Sequence, residues 1–183
     1  MSTIQRLRAL KTVGVMGSGT QEHEDDAAAI GELIAALGAN LLTGGGPGVM
    51  RAVSRAFTSY RGPRGLCIGI IPCASEDNRR TAKPGYPNEF VELAIRTHLP
   101  YSGSLGTHDL SRNHINILTS DAIVALSGGA GTSSEVDLAC RYGVPTIAYL
   151  PREDSEMAIP PSVTRTHDVR EVERFLRSAL DLQ

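Results

Sequence analysis

The residues most capable of chemistry in this sequence sit in three glycine-rich turns. They are Gly17-Ser18-Gly19-Thr20, Thr43-Gly44-Gly45-Gly46-Pro47-Gly48 and Ser127-Gly128-Gly129-Ala130-Gly131-Thr132-Ser133-Ser134-Glu135. Glycine lets the backbone approach a ligand closely. Where a helix follows, its first turn adds unpaired N–H groups and a partial charge of roughly +0.5. Such a place attracts anions, phosphate above all. The third turn joins the hydroxyls of Thr132, Ser133 and Ser134 to those amides and is the strongest candidate for a neutral phosphate cradle. Gly17, Ser18, Gly44, Gly45, Gly46, Gly128, Gly129, Gly131, Thr132 and Ser133 are therefore the candidate ligand- and phosphate-binding residues. One such turn alone is equally what any tight strand-to-helix connection needs; three together favour binding. Neither G-x-G-x-x-G nor G-x-x-x-x-G-K-[ST] occurs, which separates these turns from the dinucleotide fingerprint and from the ATPase P-loop.

The elements around the turns place them on one edge. Thr12 to Met16 reads as a buried strand running into the first turn, and Ala27, Ile30, Leu33, Ile34 and Leu37 recur at helical spacing before Gly38 stops the helix. Ala39 to Thr43 is a second strand, with a helix from Pro47 to about Tyr60; Leu66 to Ile71 is a third. Residues 73–90 are polar, irregular and too long for an ordinary connection, which suggests a lid or an interface loop. Val91 to Leu99, residues 122–126 and Pro145 to Leu150 read as further strands. Helices are expected from near Ser111, from 131 to about Tyr142, and at about 168–181. Apolar strands alternating with helices predict a single-domain α/β fold over 1–183, core about 12–150: a doubly wound, Rossmann-like parallel sheet with helices on both faces. Ligands of such sheets bind outside the carboxyl ends of the strands, where all three turns fall.

Composition narrows the partners. At 183 residues, 41% hydrophobic and 21% charged, the chain suits one globular domain. No apolar run approaches the ~20 residues that span a bilayer, and the N-terminus lacks a secretory pattern, so a cytoplasmic protein without membrane contact is expected. A net charge of −2 and the absence of tryptophan argue against nucleic acid. Cys67, Cys73 and Cys140 form no C-x-x-C pair, and His98, His108 and His114 lack metal-ligand spacing, so no metal is expected. Arg79, Arg80 and Lys83 read more readily as solvated loop charges than as a phosphate clamp.

The pair T-G-G-G-P-G-V-M at 43–50 and G-G-A-G-T-S-S-E at 128–135 resembles the LONELY GUY (LOG) superfamily, often labelled lysine decarboxylase-like, and within it the molybdenum cofactor carrier-like branch. The resemblance runs from about Thr12 to Leu150. It implies a Rossmann-like dimer that binds a nucleotide-like phosphate at these turns, with a bound nucleotide or molybdopterin-type ligand and no further cofactor required. The enzymes of the family, nucleoside 5′-monophosphate phosphoribohydrolases, carry an Arg-Lys pair ahead of P-G-G-x-G-T-x-x-E. Here that pair is Arg112-Asn113 and the proline is Ser127, a pattern closer to the carrier-like branch.

Arg112 and Glu135 match the family's pattern and are the tentative catalytic pair, Glu135 to stabilise a sugar cation or activate water, Arg112 to hold the substrate. Topology groups them independently: a helix starting at Arg112 and running antiparallel to strand 122–126 begins at the edge that carries Glu135. The rival reading of Thr132-x-x-Glu135 is a helix capping box. Pyridoxal phosphate chemistry is rejected, since the only lysines, Lys11 and Lys83, lie away from the turns. The homodimer that the resemblance implies is expected to use helix 47–60, where Val49, Met50, Val53, Ala56 and Phe57 make an apolar surface that must in part cover the sheet, rimmed by Tyr60, Arg51, Arg55, Arg61 and Arg64; the alternative is a monomer whose second helix packs on its own sheet.

Overall fold

The computed structural model describes residues 10–62, 64–151 and 157–182. Seven strands form one parallel sheet: β1 (Thr12–Met16), β2 (Asn40–Thr43), β3 (Cys67–Ile71), β4 (Leu93–Arg96), β5 (Ala122–Ala125), β6 (Thr146–Tyr149) and β7 (Thr164–Thr166), in the order β4-β3-β2-β1-β5-β6-β7. The chain winds outward from β1 to β4, returns, and winds outward again from β5 to β7. The connections leaving β1 and β5 therefore diverge to opposite faces. The crevice between them is where a doubly wound sheet binds ligands.

The helices are α1 (Glu24–Ala36), α2 (Val49–Ser59), α3 (Asn113–Thr119), α4 (Ala130–Tyr142) and α5 (Val169–Ala179). Alternation along each strand splits the core between the two faces. Val13, Val15, Leu41, Val124 and Ile147 pack with Ile30 and Ile34 of α1, Val53 and Phe57 of α2, and Val172 and Leu176 of α5. Met16, Leu42, Ile70 and Ile123 pack on the other face with Ile117 of α3 and Leu138 of α4.

The expected helix and strand boundaries shift by only a few residues, except in three places. α2 begins at Val49 and not at Pro47, because Gly48 takes φ +67° to turn the chain into the helix. The strand expected over 91–99 is only Leu93–Arg96, and all four residues are exposed, since it is an edge. β7, Thr-Arg-Thr, has no apolar run by which it could be read from sequence.

The dimer surface assigned to α2 is corrected. Val49, Val53 and Phe57 are fully buried in the chain's own core. α1 approaches so closely that a Cβ on its Gly31 would lie 2.6 Å from the Val53 carbonyl oxygen. Three of the rim arginines are engaged within the chain: Arg51 pairs with Glu22 and Glu89, Arg55 with Glu22 and Glu24, and Arg64 with Glu92, while Tyr60 and Arg61 stay exposed. Replacing Phe57 by Asp would put a charge in the core rather than probe an interface.

Candidate ligand-binding site

The carboxyl ends of β1, β2 and β5 surround a cleft of about 290 Å³. A backbone clamp holds its rim. The Ser18 N–H donates to the Ser127 carbonyl (3.0 Å), and the Ser18 carbonyl accepts from the Val49 N–H (2.9 Å), tying the first turn to the third and to the start of α2. The Ser18 hydroxyl accepts from Gln21 N–H at 3.0 Å and from Thr20 N–H at 3.3 Å, which folds residues 18–21 into a tight rim.

Of the expected site residues, Gly17, Ser18, Gly44, Gly129, Gly131, Thr132, Arg112 and Glu135 line the cleft together. Gly45, Gly46, Gly128 and Ser133 do not. Gly45 (φ +72°) packs on Ile71, Gly46 lies under the Tyr86 ring, and Gly128 sits beneath Thr132. Of the three hydroxyls expected in the cradle, only Thr132 lines the cleft; Ser134 donates to the Gly131 carbonyl at 2.7 Å.

α4 starts at Ala130 with Gly129 as its N-cap and no side-chain cap, so its first-turn amides open on the cleft. The capping-box reading fails for the same reason: Thr132 is already in the third helical position, and Glu135 lies a turn beyond. Thr132 and Glu135, three residues apart, share a helix face. That face turns toward α3, whose Asn116 donates to Glu135 Oε1 at 3.4 Å.

Arg112, the residue before α3, is only 3% exposed, and its Nε and Nη1 have no hydrogen-bond partner. Its guanidinium lies flat against Gly44, where any Cβ would come within 2.2 Å of Nη2. It forms no salt bridge with Glu135, though its positive charge acts on that carboxyl through space. Burial dominates and pushes the Glu135 carboxyl up to about 7; Arg112 and the Asn116 hydrogen bond pull it down by less. The Oδ1 atoms of Asn113 and Asn116 are likewise buried without a partner. A buried cation with unused donors thus stands beside open helix amides and a buried carboxyl at one polar wall of the cleft.

Sequence reasoning missed Met50, Tyr86, Ser102, Gly103, Asn113 and Asn116. Five of them line the cleft, and Asn116 stands behind Glu135. Tyr86 arrives from the irregular segment 73–90, which Asn88 pins to the second turn by donating from its backbone to Gly45 (2.8 Å) and from its side chain to Gly46 (2.9 Å). The unusual length of that segment was the one available signal. Arg79 and Arg80 lie apart from the cleft, in a small notch with Arg96. Among the described residues no His, Cys, Asp and Glu side chains gather as metal ligands, and no helix is long and apolar enough to cross a membrane.

Comparison with known proteins agrees with this architecture. The chain is 33% identical over 136 residues to an uncharacterised protein of Archaeoglobus fulgidus, covering 73% of this chain and 76% of that one. The molybdenum cofactor binding protein of Rippkaea orientalis superposes with a TM-score of 0.68 at 31% identity, covering 92% of this chain and 96% of that one. The molybdenum cofactor carrier protein of Chlamydomonas reinhardtii gives 0.70 at 26% identity, covering 94% and 99%. The model of the SLOG cluster4 family, a LOG-like group, matches residues 10–175. This Rossmann-like chain belongs to the SLOG cluster4 family.

Proposed function

We propose that the cleft binds a phosphate-bearing, nucleotide-like small molecule, and that a molybdopterin-type cofactor is the favoured occupant, as the names of the two similar structures suggest. The observation that carries this reading is the buried Arg112 guanidinium with two unused nitrogens at the cleft wall. Keeping a desolvated cation without a counter-ion costs several kcal/mol, and an incoming phosphate offsets that cost with charge-assisted hydrogen bonds. The first-turn amides of α4 and the Thr132 hydroxyl would hold the remaining phosphate oxygens. Tyr86 and Met50 give the same cleft an aromatic and apolar wall for a flat ring. Titration calorimetry with molybdopterin cofactor and with AMP tests the reading: the native protein should bind at least one of them, and Arg112→Met should lose about a hundredfold or more in affinity. Absence of binding by either ligand would overturn it.

The second reading is a nucleoside 5′-monophosphate phosphoribohydrolase. It is favoured by Glu135, whose carboxyl near 7 can take up or give a proton at neutral pH. Release of free base and ribose 5-phosphate from AMP, abolished in Glu135→Gln, would establish it; ligand retained intact would leave binding alone.

A further inference from the structure

The carboxyl ends of β3 and β4 carry a second polar feature, apart from the cleft: a notch where Arg79, Arg80 and Arg96 come together. We propose that this notch is a separate anion site, which takes a terminal phosphate group such as that of a phosphomonoester or of free orthophosphate.

The segment that leaves β3 builds one side of the notch. The Ala74 N–H donates to the Thr81 carbonyl (2.9 Å) and the Lys83 N–H to the Pro72 carbonyl (3.2 Å), so residues 73–82 double back and return Arg79 and Arg80 to the strand end they left. Arg79 Nε donates to the Glu76 carbonyl at 2.9 Å, which orients the guanidinium and leaves both terminal nitrogens for another partner. Arg96 comes from a different element. It is the last residue of β4, in register with Ile71 of β3. Thr81 adds a hydroxyl to the same wall. Within segment 73–90 alone, Arg79 and Arg80 are ordinary surface charges; Arg96, brought in by the sheet, makes them a cluster.

No carboxylate answers this charge. Among the described residues Arg79, Arg80 and Arg96 form no ion pair, and neither Asp nor Glu lines the notch. Glu76, in the same excursion, is engaged by the Tyr101 hydroxyl. Arg51 and Arg55 show the contrast: these neighbours share Glu22 and take up Glu89 and Glu24 between them. Three like charges held in one place repel one another, and a dianion relieves that repulsion through charge-assisted, bidentate hydrogen bonds. Size selects the group. At about 10 Å³ the notch admits one water-sized oxygen and no sugar or base, so the ligand presents a compact terminal oxyanion. The site is also independent of the cleft. It shares the cleft's sheet edge but stands two to three strands from β1, on the order of 10–15 Å at about 4.8 Å per strand, beyond the reach of neighbouring phosphates in one nucleotide.

Titration of the full chain with inorganic phosphate and with methyl phosphate, at constant ionic strength and followed by NMR, tests this. It is run on the native protein and on Arg112→Met, so the result stands whether or not the cleft binds a nucleotide. The expected result in both is saturable one-to-one binding that shifts the backbone and guanidinium N–H signals of Arg79, Arg80 and Arg96. Arg96→Gln, and Arg79→Gln with Arg80→Gln, should each weaken it about tenfold or more with the thermal transition in place, since all three side chains are exposed. Arg61→Gln, at an exposed arginine outside the notch, should leave it unchanged. Equal binding of the two probes assigns the site to phosphomonoesters, and binding of inorganic phosphate alone assigns it to the free ion. No saturable binding of either probe, signal shifts that leave residues 79, 80 and 96 unmoved, or an equal loss in Arg61→Gln would each overturn the proposal.

Discussion

The second and third glycine turns look alike in sequence and do opposite work. After β5, Gly129 has open space where a Cβ would stand, and the helix behind it is uncapped, so the backbone is turned outward to the cleft. After β2, the glycines are consumed by packing. Gly48 (φ +67°) would place a Cβ 2.3 Å from the Ser18 carbonyl oxygen, Gly45 packs on Ile71, and Gly44 leaves room only for the Arg112 guanidinium. One turn opens its backbone to the cleft. The other holds Arg112 at the cleft wall.

Breaking the packed turn should have the largest effect. Gly48→Ala strains a left-handed position and collides with backbone that cannot swing away; urea unfolding should show a loss of about 3 kcal/mol or more. Gly44→Ala separates packing from positioning. Its Cβ meets only the movable end of Arg112, so stability should change by about 1 kcal/mol or less while ligand affinity falls tenfold or more.

Arg112→Met should raise stability as it removes binding. At pH 6, below the Glu135 midpoint of about 7, the variant loses an unsatisfied buried cation and gains apolar contact. A gain of about 1–3 kcal/mol, or several degrees in Tm, is expected by calorimetry.

Glu135 carries the pH dependence. Its folded value is raised, to about 7 from an ordinary 4.5, so the native state holds a proton that the unfolded chain has released. This group's contribution is fully present below pH 4.5 and is lost as pH rises to 7, a change on the order of 3 kcal/mol. Glu135→Gln should flatten that part of the stability profile and be the more stable form above pH 7. The smallest effect belongs to the outward turn: Gly129→Ala, at φ −99° with nothing within 4 Å, should shift stability by less than about 0.5 kcal/mol.

The fold was legible because buried parallel strands are apolar runs: Val13 to Met16, Leu41-Leu42, Ile68 to Ile71 and Ile123 to Val124 are each unmistakable and each buried. β4 and β7 were misjudged or missed because edge strands bury little and carry no such run. That Arg112 and Glu135 line one cleft was legible both from the family's motif and, independently, from topology. That Arg112 would be held by Gly44, far away in sequence and in another crossover, depends on a contact no local pattern encodes. Helix 47–60 misled because an apolar face is the same in sequence whether it meets the chain's own sheet or a partner.

Native mass spectrometry of the protein as purified tests the central claim most directly. A phosphorus-containing, nucleotide-sized adduct retained by the native chain and absent from Arg112→Met is the expected result. An adduct that survives equally in the variant, or a native chain that carries none and takes up neither AMP nor molybdopterin cofactor, would contradict the claim that the buried guanidinium of Arg112 is there to meet an anion.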